Sequence, residues 1–210
     1  FNYNDYHWVV QTPLMKKMIQ YALKIDSDNC FIYPFFDFNF HKSSSIKNPN
    51  SFIYVSSSLS HKNHKRLLKA FSDAANKSKQ KLVLHLTIKK EEIPEKIYPK
   101  NLKIEFHGIK SNEGVNKLYS SCEFAIYPSL AESFGLPLIE AANLNCKVIT
   151  SNLDYVYEVI EPSLVFDPNS TKSISTSILK AINEDLPKSK VIVKNKLDNF
   201  IEYLVNQNVQ

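Results

Sequence analysis

The sequence predicts an α/β domain built on a doubly wound, Rossmann-like parallel sheet of about six strands, with helices on both faces. Three observations predict it. From residue 52 onward, short β-rich runs alternate with stretches of helical period. The runs are apolar on both sides of the alternation, as strands covered on both faces are. Strand and helix alternate with short connections between them, which implies right-handed βαβ units and a parallel sheet.

The elements follow in order. In the first 50 residues, "HWVVQT" reads as a strand and "PLMKKMIQYALK" as a helix with Leu14, Met15, Met18, Ile19, Ala22 and Leu23 on one face. "CFIYP" is a further strand. "FFDFNFHKSSSIKNPN" has no period and ends in Ser, Asn and Pro, so it reads as a linker. One such βαβ-like unit is too small to fold alone, so residues 1–50 are read as the tail of a preceding domain plus a linker. Residues 51–188 carry the main domain. Its strands are "FIYVSS" (52–57), "KLVLHLTI" (81–88), "LKIEFHG" (102–108), "EFAIYP" (123–128), "CKVITS" (146–151) and "LVFD" (164–167). Between them, Leu67, Leu68, Phe71, Ala74 and Ala75 recur at helix period, as do Val115, Leu118, Tyr119 and Cys122. Ile174, Ile178, Leu179 and Ile182 form a third stripe, opened by Ser170 or Thr171 as its cap. Residues 189–210 read as a C-terminal helix.

Composition narrows the function classes. The formal net charge is +5, and basic stretches such as "KSKQK" and "IKKEEIPEK" are mixed with acids or lie between apolar runs. They read as solvated helix faces, and no nucleic-acid-binding motif is present, so no nucleic-acid partner is expected. Cys30, Cys122 and Cys146 are odd in number, lack metal-ligand spacing and lie in or beside apolar runs; buried free thiols in a reducing compartment are expected. No apolar stretch approaches the ~20 residues of a membrane span, and no signal peptide is evident. The chain begins with Phe, so a fragment of a longer protein is expected. Asp26-Ser27-Asp28 falls between a helix and a strand, where such residues make turns, and no histidine pairs with a cysteine or an acid at ligand spacing. No metal site is expected. His61 and His64 are placed on the loop and helix start beside Lys62.

The glycines exclude two phosphate-binding motifs. Gly108, Gly114 and Gly135 are the whole supply, too few and too far apart for a dinucleotide fingerprint or a P-loop. The stretch around Gly135 offers another way to hold an anion. "SLAESFG" is a loop after a strand, and "LPLIEAANL" opens a helix with Pro137 near its first position. Amides of a first helical turn attract an anion, and a glycine just before them allows close approach. Glu140, one turn in, suits the vicinal hydroxyls of a ribose, and Glu132 on the loop suits the hydroxyls of a second polar group such as a sugar. Spacing alone fits equally a glycine turn followed by a helix with acids near its start.

"PSLAESFGLPLIEAANLNCKVITSN" resembles the E-x7-E signature of the retaining nucleotide-sugar glycosyltransferases of family 4, which have the GT-B fold. Glu132 and Glu140 fall on its two acids, with Phe134, Gly135, Leu136 and Pro137 between them. The resemblance continues through "YEVI" and "LVFDP", and upstream through "YVSSSLSHKNHKRLLKAF" and "IEFHGIKSNEGVNKLYSSCEFAIYPS". "WVVQTPLMKKMI" is similar to the last strand and helix of the family's other domain. The resemblance implies two Rossmann-like domains facing across a cleft, the C-terminal one holding a nucleoside-diphosphate sugar and the N-terminal one a saccharide or lipid-linked acceptor. It implies that Glu140 binds the ribose, that Glu132 contacts the donor sugar, and that Phe134, Gly135 and Leu136 line the sugar and phosphates. Lys62 matches the lysine that neutralises the diphosphate, Ser57 lies in the phosphate loop, and Ile109 and Lys110 lie near the base. No cofactor and no metal are implied. Neither is a membrane span, although such enzymes act in the cytoplasm, often at the inner membrane face.

Two departures accompany the resemblance. The family's first loop commonly reads Gly-Arg where this chain has Ser56-Ser57, so a phosphate cation is missing and Lys62 or Lys65 is expected to compensate. Most of the acceptor domain is absent, so the chain is expected to bind a sugar nucleotide without transferring the sugar alone. A sugar-nucleotide epimerase of related fold and a non-catalytic binding domain are the alternative readings.

Overall fold

The computed structural model describes residues 2–36, 46–93 and 97–207. A small unit opens the chain, in which β1 (Trp8–Val10) and β2 (Cys30–Ile32) pair in parallel around α1 (Pro13–Leu23). Thr12 caps α1 by accepting from the Met15 N–H, and Pro13 stands where its missing N–H is no loss. This is the expected βαβ unit; among the described residues Val10, Ile25 and Cys30 form its buried core, with Met15, Ile19 and Leu23 of α1 packed against them. Met18 and Ala22, assigned to the apolar face of α1, are exposed.

The main domain follows with β3 (Asn48–Tyr54), α2 (His64–Lys77), β4 (Leu82–Leu86), β5 (Leu102–Phe106), α3 (Asn112–Ser121) and β6 (Cys122–Tyr127). It continues with α4 (Leu136–Asn143), β7 (Lys147–Ser151), α5 (Asp154–Tyr157), β8 (Ile160–Glu161), β9 (Leu164–Phe166), α6 (Thr171–Asn183), β10 (Lys190–Val191) and α7 (Leu197–Gln207). All six expected strands are present, and every pairing in their sheet is parallel. The strand order is β5-β4-β3-β6-β7-β9. Three boundaries differ from the sequence reading. β3 begins at Asn48, inside the expected linker, because a register shift against β6 and a left-handed Asn50 (φ 55°) carry its polar start around a kink. Residues 37–45 of that linker lie outside the described residues. Cys122 ends the stripe of α3 as the first residue of β6, and among the described residues from 189 onward Leu197–Gln207 alone are helical.

Dry packing explains the sheet. Phe52, Tyr54, Leu82, Leu84, Leu86, Phe124 and Ile126 have no measurable exposure, and the Phe52 ring stacks on Phe124 at 4.8 Å while meeting Phe71 of α2 edge-on at 5.1 Å. The stripes of α2 and α6 cover this core, and Ser170 caps α6 by accepting from the Ser173 N–H. All three cysteines are buried and free; burial pushes the Cys146 thiol up to about 11. Lys47, also within the expected linker, sends its ammonium to the carbonyls of Tyr119, Cys122 and Leu144 at 2.8–2.9 Å, tying the ends of α3 and α4 together.

The opening unit is fastened to the main domain. The Leu14 N–H donates to Glu158 Oε1 at 2.7 Å, and the rings of Phe35 and Phe200 on α7 stack at 5.6 Å. Most consequential for function is the reversal of strand order between β3 and β6. At such a switch point two neighbouring loops diverge and leave a crevice at the carboxyl ends of the strands.

Candidate functional site

An open cleft of about 1040 Å³ lies at that crevice, near the upper end for small-molecule sites. The loops after β3, β4, β5 and β6 line it, and Gln11, Phe35 and Phe36 stand on its other side. The two central loops are stitched together. The Leu130 N–H donates to the His61 carbonyl at 2.8 Å, and Asn63, held left-handed at φ 62°, donates from its amide to the carbonyls of Pro128 and Pro168. The Tyr54 hydroxyl at the end of β3 reaches both the Lys62 carbonyl and Ser129. Burial holds that phenol far above its ordinary value, so it stays protonated.

Lys62 and Glu132, 70 residues apart in sequence, meet across the switch point. The ammonium lies 2.6 Å and 2.8 Å from the two carboxylate oxygens, and the side chains are 13% and 10% exposed. A lysine ammonium has three N–H donors, so with two on Glu132 one remains for a ligand. Ser56 lines the same cleft, its N–H donating to Thr87 Oγ1 at 3.0 Å. His64 accounts for the neighbouring loop end. Its Nε2 lies 2.9 Å from the Ser57 carbonyl and its Nδ1 has no partner, which assigns the proton to Nε2; burial lowers its pKa and keeps the ring neutral.

Gly135 takes φ +77° immediately before α4, a conformation that suits glycine, and Pro137 lies in the first turn, as the sequence indicated. The Gly135 and Leu136 N–H groups meet no acceptor among the described residues. Pro137 has no N–H, and that of Leu138 turns back to the Gly135 carbonyl, so the anion-binding face here is narrow. Phe134, Gly135 and Leu136 line the cleft together with Ser57 and Ile109, the last 92% exposed. Glu140 lies behind this rim and is not among the lining residues. It is half-buried, its carboxylate has no hydrogen-bond or ion-pair partner among the described residues, and burial raises its pKa.

The structure also brings to the cleft a residue that the sequence reading missed, Lys89. Lys110, placed by the resemblance near the base, lines the cleft as well, whereas Lys65, expected to compensate for the absent arginine, lies outside it in a neighbouring depression. The reason is helical geometry: Lys65 follows the first residue of α2 and projects from the helix, while Lys89 and Lys110 leave strand ends aimed at the crevice. Finally, His85, Glu105 and His107 converge, against the expectation that no histidine meets an acid in a ligand arrangement. Glu105 and His107 are two apart along an extended segment and share a face, a signal the sequence did contain; His85 joins them through the pairing of β4 with β5.

With this geometry in view, the comparisons with known proteins are specific. The family model described as "Glycosyl transferases group 1" matches residues 35–199. "O-antigen chain mannosyltransferase B" of Escherichia coli is 36% identical over 83 residues, covering 39% of this chain and 22% of that protein. "O-antigen chain mannosyltransferase RfbU" of Salmonella typhimurium is 31% identical over 145 residues, covering 61% and 37% respectively. Among solved structures, Anabaena HepE, determined with UDP and glucose, superposes with a TM-score of 0.66 at 16% identity, over 84% of this chain and 53% of that one. That likeness shows the fold, an α/β domain of the GT-B type, and in each case the chain spans little more than half of its relative or less.

Proposed function

The chain belongs to the glycosyl transferases group 1 family, and from that premise we propose that it is the donor-binding part of a retaining transferase. The donor is a nucleoside-diphosphate hexose; the names of the curated relatives favour mannose and an O-antigen type of polysaccharide. The acceptor is a saccharide or a lipid-linked saccharide held by a second domain facing this cleft. Action at the cytoplasmic face of a membrane, with peripheral contact, belongs to the same proposal; no helix among the described residues is long and apolar enough to cross a membrane.

One observation carries the reading: the Lys62–Glu132 pair bridges the switch point in the cleft that Gly135 and Leu136, whose amides have no acceptor among the described residues, also line. The third N–H of Lys62 and the start of α4 take the diphosphate, and stabilise it as the bond from the anomeric carbon to the phosphate oxygen breaks and negative charge grows on the leaving group. Lys89 and Lys110 supply the cationic charge that the Ser56-Ser57 loop lacks, so the diphosphate is held without a metal ion. Glu132, oriented by Lys62, accepts hydroxyls of the sugar. Glu140 accepts the vicinal hydroxyls of the ribose once the ligand completes its surroundings.

Thermal denaturation with a panel of nucleotides tests this. UDP or GDP without added metal is expected to stabilise the chain by about 2.7 kcal/mol at a hundredfold excess over Kd, a rise of roughly 5–10 °C. Glu140→Ala is expected to weaken nucleotide binding by about 10- to 100-fold, the worth of hydrogen bonds to a charged group. A panel with no shift, or binding unchanged in Glu140→Ala, overturns the assignment.

A further inference from the structure

The cluster of His85, Glu105 and His107 stands outside the cleft and has no part in the chemistry above. His85 on β4 is registered opposite Glu105 on β5, and His107 follows β5 with its N–H on the Leu86 carbonyl, so one sheet face presents all three side chains. Their ligand atoms are already gathered. His85 Nδ1 is 2.9 Å from His107 Nε2 and 3.3 Å from Glu105 Oε2, and His107 Nε2 is 3.8 Å from that same oxygen. A tetrahedral ion with bonds of about 2.0–2.1 Å needs ligand atoms roughly 3.3 Å apart, and these three separations straddle that value. The imidazoles are 13% and 19% exposed at the side chain, and the carboxylate 31%, so water can still reach a fourth position.

We propose that His85, Glu105 and His107 form a binding site for a borderline divalent transition ion of the zinc class, with water as fourth ligand. Two imidazoles and one carboxylate suit zinc over magnesium or calcium, which prefer all-oxygen sets. Lys103 Nζ holds Glu105 Oε1 at 2.6 Å, which orients the carboxylate and leaves Oε2 to the ion. The Lys103 side chain is 71% exposed, so water screens its charge from the ion. The site has a structural consequence. Thr87 and Lys89 follow His85 closely, Ile109 and Lys110 follow His107, and all four line the cleft. An ion here clamps the ends of β4 and β5 and fixes two walls of the cleft without touching a ligand in it.

Untagged protein stripped with EDTA and titrated with zinc chloride by calorimetry tests the proposal. One equivalent is expected to bind, Co2+ in place of zinc is expected to give the visible absorption of a tetrahedral site, and zinc is expected to slow amide exchange at residues 107–111. Removing a ligand in His107→Ala or Glu105→Gln is expected to weaken binding by about a hundredfold or more, whereas Lys103→Ala, which loosens only the orientation of the carboxylate, is expected to cost about tenfold. Glu105→Gln, at a half-exposed edge-strand position, serves if the histidine variant fails to fold. Absence of binding heat, which leaves a plain hydrogen-bonded cluster, or binding that survives both ligand variants, overturns the site. Nucleotide-induced stabilisation is measured separately in stripped protein, so failure here and failure of the donor site are distinguishable.

Discussion

Glu132 and Glu140 bracket the same glycine, yet the fold treats them oppositely. Glu132 is nearly buried and fully compensated, with Lys62 at 2.6 Å and 2.8 Å on its two oxygens. Glu140 is half-buried and has no cation or donor among the described residues, and burial alone raises its pKa. Neighbouring charge, not burial, separates them. A carboxylate compensated from within the chain is fixed in place before any ligand arrives. One left uncompensated loses stability in the free protein and regains it only when a ligand supplies the donors. Such a local conflict with stability is the usual mark of a binding position.

The largest effect that sharpens this contrast comes from Lys62→Met. It strands Glu132 as a buried charge without a partner, at a cost on the order of 3 kcal/mol, or about 6–12 °C in Tm for a domain of this size. Adding Glu132→Gln is expected to restore most of that loss, because both charges are then gone. Chemical denaturation of the single and double variants measures it. A single-variant cost under about 1 kcal/mol makes the pair equivalent to a surface ion pair, and the contrast with Glu140 then fails.

Gly135→Ala probes the element that separates the two acids. A Cβ there meets Leu138 Cδ1 at 3.2 Å, and the backbone sits at φ +77°. The left-handed conformation costs a side-chain-bearing residue about 1–2 kcal/mol, and Leu138 can yield part of the close contact by turning. The expected loss of stability is therefore smaller than for Lys62→Met. Because the same change shifts the first turn of α4, nucleotide-induced stabilisation is expected to fall as well. Unchanged stability together with unchanged nucleotide binding would show that the acids do not depend on this turn for their positions.

What the sequence made legible follows the range of the interactions involved. The six strands were readable because runs such as "KLVLHLTI" are apolar on both faces, a local property of the chain. The start of α4 was readable because Gly135 and Pro137 act on their own backbone. The Lys62–Glu132 pair was not, since it exists only because strand order reverses between β3 and β6. Lys62 and Glu132 were each singled out, for separate roles; their contact needed the topology. Lys89 escaped notice for the same reason, and His85 needed the β4–β5 register to reach Glu105. Met18 and Ala22 of α1 show the converse. Helical period identifies an apolar face and says nothing about whether the chain covers it.

The smallest effect tests Glu140 itself, in the absence of ligand. Its carboxyl has an ordinary value of 4.5 and a higher one in the folded chain. Between those two values the folded state binds the proton more strongly than the unfolded state does, so this group lowers stability as pH rises through the window. Below the unfolded value both states are protonated and the group is neutral in effect; above the folded value the full cost of the desolvated charge is present. Glu140→Gln removes it. The variant is therefore expected to match the parent in acid and to exceed it in Tm at neutral pH, the gain appearing as pH rises through the window. Glu132→Gln is expected to do the reverse at neutral pH, because it leaves Lys62 unpaired. If instead Glu140→Gln destabilises the free protein at neutral pH, the carboxylate has a structural partner, and the distinction between a compensated acid and a waiting one is lost.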